Sequence, residues 1–299
     1  MQIAIMTEAW NLESLRDYWS HYKEIQVAET FSFQGEESST QALKEFISTL
    51  RSKHVQLVDL CTLDKDKEKL LHALIVEEVS VLTSYPIAET EAATQSILQK
   101  AIKNGVKVIN RDTVHFLPER RQAQVEVQRG ALGNPGVQRF SVRKKSTHAF
   151  DRLAIGQFEW ILETFGAVKR VMAKQVRKDL TEEQSIEYHS ISLRLENDSF
   201  VHLDLCLIDS KEMQSFELTG NKGMLSFHSE NTSPIRVFHM GEVNDSRENV
   251  NRELSYLALA ISKEQIMSYQ SESMLNALRI LEAAKKSVRL SQPIEVRGE

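Results

Sequence analysis

The sequence predicts a parallel α/β domain over residues 1–118 and an α+β domain over 119–299, the second built on a largely antiparallel, open-faced sheet. Three observations predict it. Short apolar runs alternate with amphipathic helical stretches as far as Pro118, the pattern of a parallel sheet covered on both faces. Beyond Pro118, period-two segments follow one another, with helical stretches before and after them. Hairpin signals, Asn197-Asp198 and "GNKG", occur only in that second part.

Residues 2–6 read as a buried first strand, and "NLESLRDYWSHY" as a helix with Leu12, Leu15, Trp19 and Tyr22 on one face. The apolar stretch "EIQVAET" follows. A helix then begins in the Ser38/Ser39 cap region and carries Ala42, Leu43, Phe46, Ile47 and Leu50 at helical spacing. "VQLVDLCT", "VSVLT" and "VKVIN" are continuous apolar strands. Between them, "DKDKEKLLHALI" reads as a short surface helix and "ETEAATQSILQKAIKNG" as a helix stopped by Gly105. In the second part, helices "PERRQAQVEVQR" and "AFDRLAIGQFEWILETFG" flank the strand-like "VQRFSVRKK". Period-two runs "VKRVMAKQVRK", "YHSISLRLE" and "FVHLDLCLI" come next, then the hairpin "SFELTGNKGMLSF" and the closing amphipathic helix "SESMLNALRILEAAKKSVRL". Residues 178–185 and 239–253 are polar and turn-rich.

Composition narrows the function. The 299 residues are 41% hydrophobic and 26% charged, with a net charge of −5 and no basic stripe, which argues against nucleic acid. No leader-like segment or membrane-length apolar run is present, so the expectation is a cytoplasmic protein with no membrane partner. Cys61 and Cys206 read as small buried hydrophobes, and the histidines lack paired ligand spacing, so no metal is expected. Only Gly35 and Gly105 of the 11 glycines lie before residue 130. The turn after the first strand is Thr7-Glu8-Ala9-Trp10, with no glycine to let a phosphate approach the backbone.

Several collinear stretches carry a resemblance. "VDLCTL", "AIKNGVKVINRDTVHFLP", "GALGNPGVQRF", "WILETFGAVKRVMA", "FELTGNKGMLSF" and the closing "SESMLNALRILEAAKKSVRLSQPIEV" together resemble the Gfo/Idh/MocA family of two-domain NAD(P)-dependent sugar and polyol oxidoreductases. The resemblance implies a Rossmann-like first domain, and a second-domain sheet that pairs subunits into a homo-oligomer. The family's G-x-G-x-x-G corresponds to Thr7, Glu8, Ala9 and Trp10, where Glu8 would repel a phosphate and Trp10 would crowd it. Its E-K-P lysine corresponds to Tyr85, in Ser84-Tyr85-Pro86. Its T-P-x-x-x-H loop corresponds to Thr62 through Lys67, with Lys67 at the histidine place. Glu159 takes the place of the second-domain aspartate and Gly156 that of the histidine. Asp151 answers to a further aspartate after a one-residue shift. Arg111 and His115, near the domain junction, are candidates for a substrate cleft.

Three functions follow. In the first, ordinary nicotinamide binding is lost, no cofactor is expected with ordinary affinity, and the chain serves as a small-molecule-binding, regulatory or partner subunit. In the second, it remains an oxidoreductase of a sugar- or polyol-like substrate, using NAD or NADP in an altered mode. Tyr85 would then handle the proton, with Lys67 as the cation that makes a phenol of ordinary pKa near 10 competent. A different chemistry on the same cleft is a third possibility. The plainer readings are a packed tyrosine at 85 and a solvated helix-face glutamate at 159.

Overall fold

The computed structural model describes the chain except residues 9–10, 21–22, 24, 34–39, 63–66, 89, 111–113, 115–116, 146–148, 180–184, 209, 231–235, 240–241, 246–263 and 297–299. It divides into two compact units, Met1–Asp112 with Leu254–Leu275, and Thr113–Glu253 with Asn276–Glu299.

The first unit holds β1 (Gln2–Glu8), α1 (Leu12–Ser20), β2 (Gln26–Phe33), α2 (Thr40–Ser52), β3 (Leu57–Cys61), α3 (Lys67–Val76), β4 (Ser80–Thr83), α4 (Glu91–Lys103) and β5 (Val108–Asn110). The strands form one parallel sheet in the order β2-β1-β3-β4-β5. Its middle strands are largely apolar because both faces are covered: Ile3, Ile5, Met6, Leu57, Val58 and Leu60 are fully buried. Thr7 on β1 and Thr83 on β4 are buried among them. Asp59, also fully buried, accepts a 2.7 Å hydrogen bond from the indole nitrogen of Trp19 on α1. The stretch read as a short surface helix is α3, and it buries Leu70, Leu71, Leu74 and Ile75. Helix α4 starts on Thr90, whose hydroxyl accepts from the Ala93 amide, and it ends before Gly105, which has φ +65°. On the edge strand β2, the Lys53 ammonium donates to the Ala28 carbonyl and to Glu29.

The second unit contains α5 (Pro118–Gln128), β6 (Pro135–Lys144), α6 (Phe150–Phe165), β7 (Val168–Asp179), β8 (Ser185–Leu195), β9 (Phe200–Leu207), β10 (Met213–Gly220), β11 (Gly223–His228), β12 (Arg236–His239) and β13 (Glu242–Asp245). It also holds the later part of α7 (Glu264–Leu290), and β14 (Ile294–Glu295). Nine strands pair in the order β13-β12-β11-β10-β6-β9-β8-β7-β14. All described pairings are antiparallel except β6 with β9. Strands β12 and β13 run into the stretch read as polar and turn-rich, and they lengthen the sheet by two strands. The β10–β11 hairpin depends on Gly220, where a Cβ would stand 2.2 Å from the Leu132 carbonyl oxygen.

Strand β9 alternates as its sequence requires. Val201, Leu203, Leu205 and Leu207 are buried, whereas Phe200 is 42% exposed and His202, Asp204 and Cys206 are half-buried. On that second face, the Tyr188 hydroxyl donates to Asp204. Burial, and then the Asp204 carboxylate, push the Tyr188 pKa up to about 12. Beneath the sheet, the whole stretch from Ala154 to Leu162 in α6 is buried. There Arg120 of α5 is 1% exposed, with its guanidinium 4.6 Å from the Phe140 ring centre and 5.0 Å from those of Trp160 and Phe216. Burial lowers its pKa to about 9. Helix α7 is fastened to the sheet by Ser287, whose hydroxyl accepts from the Ala173 amide at 2.9 Å.

Candidate functional site

In a parallel sheet, a ligand crevice opens beyond the carboxyl ends of the strands where the strand order reverses. Here the chain passes from β1 to β2 on one side and returns to β3 on the other, so the reversal lies between β1 and β3. The strand ends nearest it carry Thr7 and Glu8, Cys61 and Thr62. Further along the same edge come Thr83, the Ser84-Tyr85-Pro86 turn and Asn110.

Thr7 and Glu8 are the last residues of β1, not the start of a turn. Thr7 is fully buried and in register with Cys61, and its hydroxyl donates to the Cys61 carbonyl at 2.8 Å. The strand therefore runs two residues past the apolar run that announces it, held by a side chain that bonds across the sheet. Asn11, directly before α1, reaches the same place. Its amide donates to the Thr7 hydroxyl at 3.5 Å and to the Cys61 sulfur at 3.3 Å. Three side chains thus tie β1, α1 and β3 together where glycines would otherwise make the turn.

This arrangement bears on whether a dinucleotide fits. Thr7 stands at the first glycine place, but its side chain is buried and its hydroxyl is bonded across the sheet to the Cys61 carbonyl. Helix α1 follows with its first-turn N–H groups at the end that favours negative charge. The described residues fit the group in these two respects. Ala9 and Trp10 lie outside the described residues, as do Arg111 and His115.

The second part of the edge is built around Tyr85. Its peptide bond to Pro86 is cis, and its side chain is buried. The sequence assigns Lys67 the part of a cation beside the phenol. The structure gives its ammonium two backbone carbonyls, those of Ser84 and of Pro86 at 2.8 Å, on either side of Tyr85. Lys67 opens α3 immediately beyond β3, so one side chain clamps the turn after β4 to the helix after β3. Thr62 is buried at the end of β3.

Glu159 belongs to the second unit, on α6, and is 5% exposed. The expectation of a solvated helix-face carboxylate is corrected: α6 is enclosed on every side along this stretch, so its glutamate is buried with the rest. Asp151, at the start of α6, pairs with Lys285 at 2.6 Å. The structure therefore brings together Thr7, Cys61 and Asn11, and separately Lys67 and the Tyr85 turn. Asn11 and Cys61 were missed as site residues. An asparagine placed to begin a helix, four residues after Thr7, was the available signal. Among the described residues, no group of three metal-ligating side chains occurs, and no helix is long and apolar enough to cross a membrane.

No protein-family model and no curated protein matches the sequence. Solved structures do match. An oxidoreductase from Agrobacterium radiobacter, in complex with NAD+, L-tartaric acid and magnesium, is 14% identical with a TM-score of 0.74 over 99% of this chain and 98% of its own. GenD2 from gentamicin A biosynthesis, in complex with NAD, is 14% identical with a TM-score of 0.73, covering 100% of this chain and 97% of that one. Biliverdin reductase from Synechocystis, in complex with biliverdin and NADP+, is 14% identical with a TM-score of 0.68, over 96% and 98%. The fold is that of two-domain NAD(P)-binding oxidoreductases, and the likeness to the Gfo/Idh/MocA type holds at the level of the fold. One expectation is overturned. The glycine-free turn predicts that neither nicotinamide cofactor binds with ordinary affinity, yet chains sharing this fold from end to end are crystallised with NAD or NADP+.

Proposed function

We propose that the protein is an NAD(P)-dependent oxidoreductase of a small sugar- or polyol-like alcohol, in which Tyr85 stands in the place of the usual lysine. The observation that carries this reading is the clamp of Lys67 on the carbonyls either side of Tyr85, at the carboxyl edge of the sheet. Lys67 ties the turn that carries Tyr85 to the helix after β3, and so fixes where the phenol sits.

When bound, a nicotinamide would supply the hydride acceptor or donor. The chain's own residues do the rest. Tyr85 would present its hydroxyl to the substrate oxygen, giving its proton as the carbonyl is reduced to the alcohol and, as phenolate, taking the proton back when the alcohol is oxidised. Lys67 is a positioning residue: it fixes the backbone of the turn and through it the phenol. Thr7, Asn11 and Cys61 hold the end of β1 against β3, so that the crevice keeps its shape without a glycine-rich loop. The exposed face of the nine-stranded sheet, with Phe200 at its margin, supports pairing of two copies of the chain.

The test has two parts. Calorimetric titration with NAD(H) and NADP(H) should give saturable binding of one of them. Tyr85→Phe should leave that binding intact and cut turnover on the responsive alcohol by about 10²–10⁴, the usual worth of a positioned acid–base group. An unchanged turnover would make Tyr85 a packing residue and end the assignment.

A further inference from the structure

The second unit contains a recess of about 280 Å³ that has no part in the reaction proposed above. Its floor is the helix-covered side of the sheet, with Gln175 on β7 and with Glu187 and His189 on β8. Its walls are the first turn of α6, with Phe150 and Asp151, and the last turns of α7, with Lys285. All of these residues belong to the same unit.

His189 is 4% exposed, and its ring lies flat on Phe150, with centroids 3.6 Å apart and planes at 10°. Its Nε2 is 2.6 Å from Glu187 Oε1, and the same oxygen accepts from the Gln175 amide at 3.2 Å. An ionised carboxylate only accepts, so the proton in this contact sits on Nε2, and Nδ1 is turned to the other side of the ring. Among the described residues, neither Nδ1 nor Glu187 Oε2 has a hydrogen-bond partner. At the rim, the Lys285 ammonium is engaged by Asp151 at 2.6 Å.

The chemistry of an occupant follows from this balance. Two carboxylates face one ammonium, and that ammonium is already neutralised. Carboxylates therefore outnumber ammonium groups in the lining, and Glu187 Oε2 is the carboxylate oxygen left open toward the recess. An anion would have to displace Asp151 from Lys285 and then approach Glu187. A neutral alcohol would satisfy an acceptor without offsetting the charge. Ala173, Ala284 and Val288 supply an apolar wall for a few methylene groups.

We propose that this recess binds a small aliphatic ammonium, with its charged end at the Glu187–His189 pair and its alkyl body along Ala173, Ala284 and Val288. The full chain is titrated by calorimetry with n-butylammonium chloride, with n-butanol as the uncharged isostere and sodium butyrate as the anion. A ligand of this size is expected to bind with a dissociation constant of about 1 mM. Butanol and butyrate should bind at least about tenfold more weakly, the worth of one charge-assisted hydrogen bond. Glu187→Gln should weaken butylammonium about tenfold for the same reason. Lys285→Met frees Asp151 and should tighten it, a gain that a misfolded variant cannot give. Absence of butylammonium binding, equal binding of butanol or butyrate, unchanged affinity in Glu187→Gln, or loss of affinity in Lys285→Met would each overturn the assignment.

Discussion

Arg120 places a positive charge in the buried interior of the second unit, where burial lowers its pKa and the neighbouring Glu119 carboxylate offsets only part of that. Its Nη2 donates to the Gln157 side-chain oxygen at 3.0 Å, while Nε and Nη1 have no acceptor among the described residues. A fall in pKa from 12.5 to about 9 corresponds to about 5 kcal/mol of burial cost for the charged form. Three aromatic faces within 5.0 Å repay part of this, at about 1–2 kcal/mol each in a desolvated setting. The two sides nearly cancel. Replacing Arg120 with Met, which fills similar space without charge, should therefore change unfolding free energy by no more than about 2 kcal/mol in either direction. Arg120→Ala removes the same charge but leaves a hole among Phe140, Trp160 and Phe216, and should cost about 3–5 kcal/mol. Urea unfolding of the wild type and both variants, followed by fluorescence, measures the gap. If Met proves as damaging as Ala, the guanidinium is a net stabiliser and the cancellation argued here is wrong.

Three further outcomes are expected. Lys67→Met should lower kcat on the responsive alcohol about tenfold or more while leaving the cofactor dissociation constant unchanged, because it releases the turn that positions Tyr85; a change confined to cofactor affinity would contradict the clamp. The hydrogen bond from Lys53 holds the Glu29 carboxyl below its usual range, so the unfolded chain binds that proton more readily. The stability it lends is then present above about pH 4.5 and is lost as pH falls through its lowered value, so urea midpoints between pH 6 and 3 should fall more steeply for wild type than for Glu29→Gln. Phe200→Glu, at the margin of the open sheet face, should convert a dimer to a monomer by light scattering, and a monomeric wild type would remove the pairing from the account.

The alternation of strands and helices was legible because it is local: a run such as "VSVLT" declares a buried strand by itself. Thr7 and Glu8 were not legible as strand, because what extends β1 is a bond to Cys61, far away in the chain. Glu159 was misread since α6 is enclosed on all sides over this stretch, and burial takes in Gln157 and Glu159 along with the apolar residues, which side-chain polarity alone does not signal. Lys67 was found, but as a charge; that its ammonium serves two carbonyls depends on how α3 meets the turn after β4. His189 could have been found. It lies two residues before Ile191, and Leu193 and Leu195 follow at the same spacing, so strand alternation alone puts an imidazole on the buried side.

The single parallel pairing in the nine-stranded sheet has a kinetic consequence. Strands β7, β8 and β9 meet through short connections, and so do β10 and β11, so these ribbons close small loops. The bond between β6 and β9 instead joins segments separated by residues 145–199, which include all of α6, β7 and β8. Closing that larger loop costs chain entropy before any contact repays it. The centre of the sheet therefore forms after its two flanks, and substitutions at Val142 should speed unfolding while those at Ile191 slow folding.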